Sequence, residues 1–257
     1  MARVMSAIIL VPVSLFLLSN GEQAFTAYVA AFAAAMAWEW LRMADPEAPT
    51  RSFAVAAASC AGAVVFVGDG DLFWAIAWPL AGALGIAFAG KLPMRLRWRG
   101  PAGILYVAFT CCALVLMRGA PSGLIHMGFL MSVVWSADIA AYFAGTWLGG
   151  PKLWPQVSPN KTWAGFVGGI VIGTLAGAVF ASQFGMAMPG ATVLASLIAL
   201  AAVLGDLAMS LFKRGFGVKD AGRIIPGHGG VLDRVDALML ATATAFISQL
   251  LWTGAWL

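Results

Sequence analysis

Charge is scarce in this sequence: only 10% of its 257 residues are Asp, Glu, Lys or Arg. That excludes an ordinary soluble domain, in which about a quarter of the residues are charged. Histidine occurs twice, as His126 and His228, and cysteine three times, as Cys60, Cys111 and Cys112. The cysteines fall inside apolar runs, two of them adjacent, which argues against a disulfide framework or a zinc site and leaves them as small core residues. No hydrophilic stretch is long enough for a second domain, and no internal repeat is visible. Nor is there a nucleic-acid-binding module, so the net charge of +4 does not point to RNA or DNA.

What fills the chain instead is apolar: 61% of residues are hydrophobic and the mean hydropathy is +0.90. Runs of about the length that crosses a bilayer recur. About nine are expected, at roughly 4–19, 24–41, 53–68, 72–89, 102–117, 124–148, 163–183, 191–212 and 236–257. Lipid offers no partner to a backbone N–H or C=O, so each run should be an α-helix. The expected fold is all-α: one polytopic membrane domain over 1–257, with 1–120 mainly scaffold and 121–257 the catalytic half. Its Gly and Ala residues suit close helix packing. The first run follows Arg3 but has no clear small-residue cleavage site before the second, so it is read as a helix.

The basic residues are distributed unevenly. Arg3; Arg42 and Arg51; Lys91, Arg95, Arg97 and Arg99; Lys152 and Lys161; and Lys213, Arg214, Lys219, Arg223 and Arg234 fall at the N-terminus or in alternate connections. Only Arg118 falls on the other side. The positive-inside rule then places the N-terminus and the charged connections in the cytoplasm. The short N-terminus, without a transit-like extension, favours a bacterial inner membrane. Of the longer cytoplasmic connections, Lys91–Arg99 alternates basic and apolar residues as an interfacial anchor does. Gly149–Thr162 carries Pro151, Pro155 and Pro159 and is expected to be an irregular loop.

The remaining connection, Ser210–Asp236, concentrates five basic residues, three aspartates and six glycines. Asp206 lies just before it, with Ser210 and Lys213 one and two turns later on roughly the same helical face. An acid at the bilayer centre costs about 2.5–3.5 kcal/mol on insertion scales, so Asp206 and Asp138 each need a partner or a polar cavity. Either could be one half of a structural ion pair. Asp233 and Asp236, three residues apart, share one face at the start of the last helix. Acids suit a helix N-terminus for electrostatic reasons alone. The alternative is that Asp206, Asp233 and Asp236 converge on Mg²⁺ through hard oxygen ligands, with Lys213, Lys219 and Arg223 neutralising phosphates. His228, among Gly227, Gly229 and Gly230, either orients a phosphate or is an ordinary turn histidine. Glu39, between Trp38 and Trp40, is placed near an interface with no catalytic role, and His126 is assigned none.

The sequence Ser210-x-x-Lys213-Arg214, Lys219-Asp220, Pro226-Gly-His228-Gly-Gly, Asp233-Arg234-Val-Asp236 resembles the signature of the phosphatidate cytidylyltransferases, or CDP-diacylglycerol synthases. Ser158-Pro-Asn-Lys161-Thr162-Trp163 and Asp138-x-x-Ala-Tyr142 resemble that family's secondary motifs. Ala164 stands where members often carry an acid or amide, so no polar contact is expected there. The resemblance implies transfer of CMP from CTP to phosphatidate at the bilayer, releasing pyrophosphate. It further implies a divalent metal on Asp206 and Asp233 with Asp236 assisting, and Ser210 and Lys213 at the nucleotide or phosphate site. Arg214, Lys219, Arg223, His228, Ser158, Lys161, Thr162 and Asp138 join them on the substrate side. A monovalent cation such as K⁺ near the carboxylates and a homodimer are also implied.

Three other activities compete. A CTP-dependent lipid kinase would deliver the γ-phosphoryl group instead, but the full signature favours the synthase. A CDP-alcohol phosphotransferase would need an Asp-Gly-x-x-Ala-Arg motif, which is absent. An ion-coupled transporter could use Asp138 and Asp206 as intramembrane relays, but has no need of the Lys/Arg-rich connection.

Overall fold

The computed structural model describes residues 12–89, 93, 94, 96–225, 229–252, 254 and 256. Eight helices among them are long and apolar enough to span a membrane: α1 (Glu22–Ala44), α2 (Thr50–Gly68), α3 (Leu72–Ala89), α4 (Arg99–Gly119), α5 (Gly123–Trp147), α6 (Trp163–Gln183), α7 (Met188–Gly215) and α8 (Leu232–Leu251). They match the last eight of the nine expected runs, and the protein is a multi-pass, all-α membrane protein. Residues 12–19 are helical as well; the rest of the first run lies outside the described residues.

Two helix ends differ from expectation in a way that matters for the site. α7 runs on to Gly215, so Lys213 and Arg214 form its last turn rather than part of a loop. Cations there complement the negative end of the helix dipole, and Gly217 then turns the chain with a left-handed φ of 76°. α8 begins at Leu232, so Asp233 sits in its first turn. The apolar pattern stops at the charged residues; the hydrogen-bonded helix does not.

The chain forms two compact units. The first joins Met1–Ala120 to Phe216–Arg234, and the second joins Pro121–Gly215 to Val235–Leu257. In the first, α2 packs against α1, α3 and α4, and α4 also packs on α1 and α3. Leu41, Val64, Ile104, Val107 and Met117 fill that core. Trp40 Nε1 donates to the Arg99 carbonyl at 2.9 Å, with its ring lying where a Gly103 side chain would be. The three cysteines are free, with Cys60 and Cys111 buried and Cys112 half-buried, as small core residues should be.

In the second unit α5, α6 and α7 pack against one another. The buried face of α6 is Gly165, Gly169, Gly173, Gly177 and Ala181, one small residue per turn. A Cβ on Gly173 would meet those of Ala199 on α7 at 2.9 Å and Ala137 on α5 at 3.0 Å. Without side chains on this stripe the helix backbones approach closely, and van der Waals contact replaces the hydrophobic drive that lipid removes. The opposite faces carry exposed large apolar residues such as Val167, Val171, Leu175 and Val179, suited to acyl chains.

The connection between α5 and α6 is not irregular. It folds as an antiparallel hairpin, β1 (Lys152–Trp154) with β2 (Ser158–Thr162), pairing Lys152 with Thr162 and Trp154 with Ser158. Between those pairs β1 contributes one residue and β2 three, which is a bulge. Pro159 falls inside it, where no ladder N–H is demanded, and Pro155 lies in the turn; both prolines are thus tolerated.

Candidate active site

One helical face of α7 presents Asp206, Ser210 and Lys213 at one-turn intervals, as their spacing predicts. Asp206 Oδ2 meets Lys161 Nζ of β2 at 2.8 Å, and Lys213 Nζ lies 4.0 Å from Asp236 Oδ2 of α8. Asp138 of α5 is within Coulombic range of both Asp206 and Lys161, and Asp236 within range of Asp206 and Asp138. The second unit therefore gathers three carboxylates and two ammonium groups from four elements. α7 comes close to α8 because residue 205 is glycine: a Cβ there would lie 3.0 Å from the Asp236 carbonyl oxygen and from Leu240 Cβ.

The hairpin is what delivers Lys161. Thr162, the next residue, is buried and caps α6, its hydroxyl accepting the Gly165 N–H at 3.1 Å. That hydrogen bond satisfies one of the orphan donors of the helix start and fixes the direction in which Lys161 leaves it. On the turn of the hairpin, the Val157 carbonyl accepts from Arg214 Nε at 3.3 Å, tying it to the end of α7. Ser158 is half-buried beside it.

Among the described residues the cluster sets three carboxylates against two lysines, and its donors are hard oxygens. That donor set fits Mg²⁺, which commonly takes one or two carboxylates and completes its octahedron with water and phosphate oxygens. Among the described residues, no three His, Cys, Asp or Glu side chains group tightly enough for an all-protein cage.

The first unit holds Phe216–Arg234 of the charged connection. Asp233 Oδ2 accepts the N–H groups of Ala221 at 2.9 Å and Gly230 at 3.1 Å, drawing the connection back over the start of α8. Ile225 and Gly229 pair as an isolated antiparallel bridge, the Ile225 N–H reaching the Gly229 carbonyl at 2.9 Å. Gly229 has a left-handed φ of 84°, which a side chain would strain. Lys219 and Arg223 line an open cavity of about 670 Å³, together with Trp38, Glu39 and Arg42 of α1. His228 lies outside the described residues.

Sequence reasoning passed over the α1 contribution to this cavity. Arg42 was visible only as one of many basic residues, and Glu39 as an interfacial acid. Glu39 is in fact 1% exposed, and its Oε2 accepts the Leu232 N–H at 3.0 Å. The available signal was a single carboxylate inside a run whose other members are apolar, at a depth where an acid needs a partner. The partner is backbone, which no side-chain motif reveals. His126, assigned no role, is a buried packing residue whose Nδ1 meets the Gln249 amide at 3.2 Å and whose ring abuts Trp256.

The model of the Cytidylyltransferase family matches residues 1–252, and the chain belongs to that family. A phosphatidate cytidylyltransferase of Brucella suis biovar 1 (strain 1330) is 41% identical over 257 residues, covering 95% of this chain and 91% of its own. One of Pseudomonas aeruginosa is 35% identical over 275 residues, covering 99% and 97%. One of Bacillus subtilis (strain 168) is 44% identical over 119 residues, covering 46% and 44%. The family expected from the motifs is the family found.

Proposed function

We propose that the protein transfers CMP from CTP to phosphatidate, giving CDP-diacylglycerol and pyrophosphate. The observation that carries this reading is the convergence of Asp138, Lys161, Asp206, Lys213 and Asp236 inside a membrane protein. The full-length relatives at 35–41% identity that bear the corresponding name support it.

In the proposed reaction a phosphate oxygen of phosphatidate attacks the α-phosphorus of CTP. The bond between that phosphorus and the α–β bridging oxygen breaks, and pyrophosphate leaves with the bonding pair. The attacking phosphate is already an anion, so no strong general base is required. The barrier lies in bringing two polyanions into line, which positioning and fixed positive charge overcome. Lys161 and Lys213, paired with carboxylates here, turn to substrate phosphates when these arrive. Ser210, Ser158 and Thr162 contribute hydroxyls at the same end of the second unit, and Asp138 sets the local charge. Lys219, Arg223 and Arg42 supply a cationic wall to the first unit's cavity, and Arg214 and His228 complete the phosphate contacts.

Mg²⁺ is the proposed cofactor, with Asp206, Asp233 and Asp236 as carboxylate ligands on the strength of the motif; when bound it would withdraw charge from the phosphates and the departing pyrophosphate. A monovalent cation such as K⁺ and a homodimeric assembly belong to the same proposal. So does the orientation: the Lys/Arg bias supports a site on the cytoplasmic face of a bacterial inner membrane, where CTP arrives from water and phosphatidate from the bilayer.

The purified protein should convert CTP, Mg²⁺ and phosphatidate to CDP-diacylglycerol and pyrophosphate in equal amounts, measured by mass spectrometry. Transport of a solute by reconstituted protein without nucleotide consumption would instead favour the transporter reading.

A further inference from the structure

Glu39 belongs to the scaffold helix α1, yet its carboxylate is spent on the charged connection 193 residues further along the chain. Oε2 accepts the Leu232 N–H, and the N–H groups of Val231 and Ile224 also face the carboxylate. The second oxygen, Oε1, is buried with no hydrogen-bond partner among the described residues. Two glycines of the connection close over the carboxylate. A Cβ on Gly222 would collide with Oε1, and one on Gly230 would come within 2.7 Å of Oε2. Asp233 grips the same segment through Ala221 and Gly230. Two acids, one from each end of the sequence, thus hold both the Ala221–Gly222 backbone beside the Lys219/Arg223 cavity wall and the Gly230–Leu232 backbone at the first turn of α8.

Burying a carboxylate is expensive unless donors surround it. A merely structural role at this depth could be filled by an apolar side chain like those of Trp38 and Trp40 on either side of it. What an apolar side chain lacks is an acceptor for Leu232 and its neighbours. From this we infer that Glu39 is a positioning residue for the proposed reaction: it fixes residues 221–225 and 229–232 so that Lys219 and Arg223 face the cavity and α8 starts at Leu232. The inference rests on the activity proposed above for its catalytic consequence, but not for its structural one.

The role depends on reach and acceptor geometry, which separates it from a role for charge. Gln keeps an acceptor oxygen at the same reach; Asp keeps the charge but withdraws it by one methylene. Glu39→Gln, Glu39→Asp, Glu39→Ala and Gly222→Ala are compared with wild type in detergent. The readouts are steady-state kinetics with CTP, Tm, and the rate of tryptic cleavage after Lys219 and Arg223. Glu39→Gln is expected to keep kcat/KM within about 5-fold of wild type, while the other three lose roughly 20-fold or more, mainly in kcat. Tryptic cleavage at the two sites should accelerate about 10-fold or more in Glu39→Ala and Gly222→Ala, with Tm lowered by only a few degrees. Unchanged cleavage in both variants overturns the inference. So does better retention of activity by Asp than by Gln, or losses that follow Tm alone. The cleavage readout needs no turnover, so it decides the positioning role even if wild-type protein proves not to consume CTP.

Discussion

Lys161 Nζ lies 2.8 Å from Asp206 Oδ2, joining the β-hairpin to the last third of the C-terminal half's longest helix. The two side chains are 21% and 37% exposed, so water screens part of their attraction. Lys161→Ala is expected to cost only about 1 kcal/mol of stability, far less than removal of one partner from a fully buried pair. Its effect on activity should be much larger, roughly 100-fold in kcat/KM, because the ammonium is proposed to move to a phosphate. Asp206→Asn should abolish turnover with normal membrane insertion and a Tm near that of wild type. Activity assays beside thermal melts in detergent check both variants.

Removing divalent cations should stop turnover completely. Among the described residues the site groups three carboxylates, Asp138, Asp206 and Asp236, with two lysines, Lys161 and Lys213. Chelation by EDTA followed by titration with Mg²⁺ is expected to abolish and then restore CDP-diacylglycerol formation. Full activity in excess EDTA would remove the metal from the proposal.

The glycine stripe of α6 gives a packing prediction. A Cβ at Gly177 would lie 2.5 Å from Ala195 Cβ and 2.7 Å from Val133 Cγ2. Gly177→Leu therefore forces α5 and α7 apart, and its cost should exceed the ~1–3 kcal/mol usual for overpacking a core. Little or no monodisperse protein is expected on size-exclusion chromatography. Gly85→Ala, where a Cβ meets nothing within 4 Å, should be neutral or stabilising by up to about 1 kcal/mol.

Asp45 offers a pH-dependent test outside the spans. It is buried just beyond α1, and burial pushes its carboxyl above the ordinary range despite the Glu47 backbone N–H that favours the anion. A raised folded-state value means that folding favours the protonated form. The stability it contributes is present below the unfolded value of the carboxyl and is lost as pH rises through the folded one. Asp45→Asn keeps an acceptor for Glu47 without the charge. It should raise Tm slightly at pH 7, with the advantage shrinking as the pH falls towards 4.

The spans were legible because a bilayer demands long apolar runs, and α3 and α6 begin and end where hydropathy places them. The candidate site was legible in its residue types: Asp206, Ser210 and Lys213 share a face because 3.6 residues make a turn. Two features were not. The prolines of 149–162 suggested irregularity, but whether a proline breaks a ladder depends on its register, and Pro159 falls at a bulge. Glu39 was illegible because it meets backbone N–H groups, that of Leu232 by a hydrogen bond and those of Ile224 and Val231 close by. Those donors exist in any sequence, and only the fold brings them to one carboxylate.

The most direct test of the account follows phosphorus. Purified protein is given Mg²⁺ and phosphatidate with CTP labelled at either the α- or the γ-phosphate. The account predicts α-label in the lipid product and γ-label in pyrophosphate. Lipid that takes up only γ-label would show phosphoryl rather than cytidylyl transfer and would contradict it.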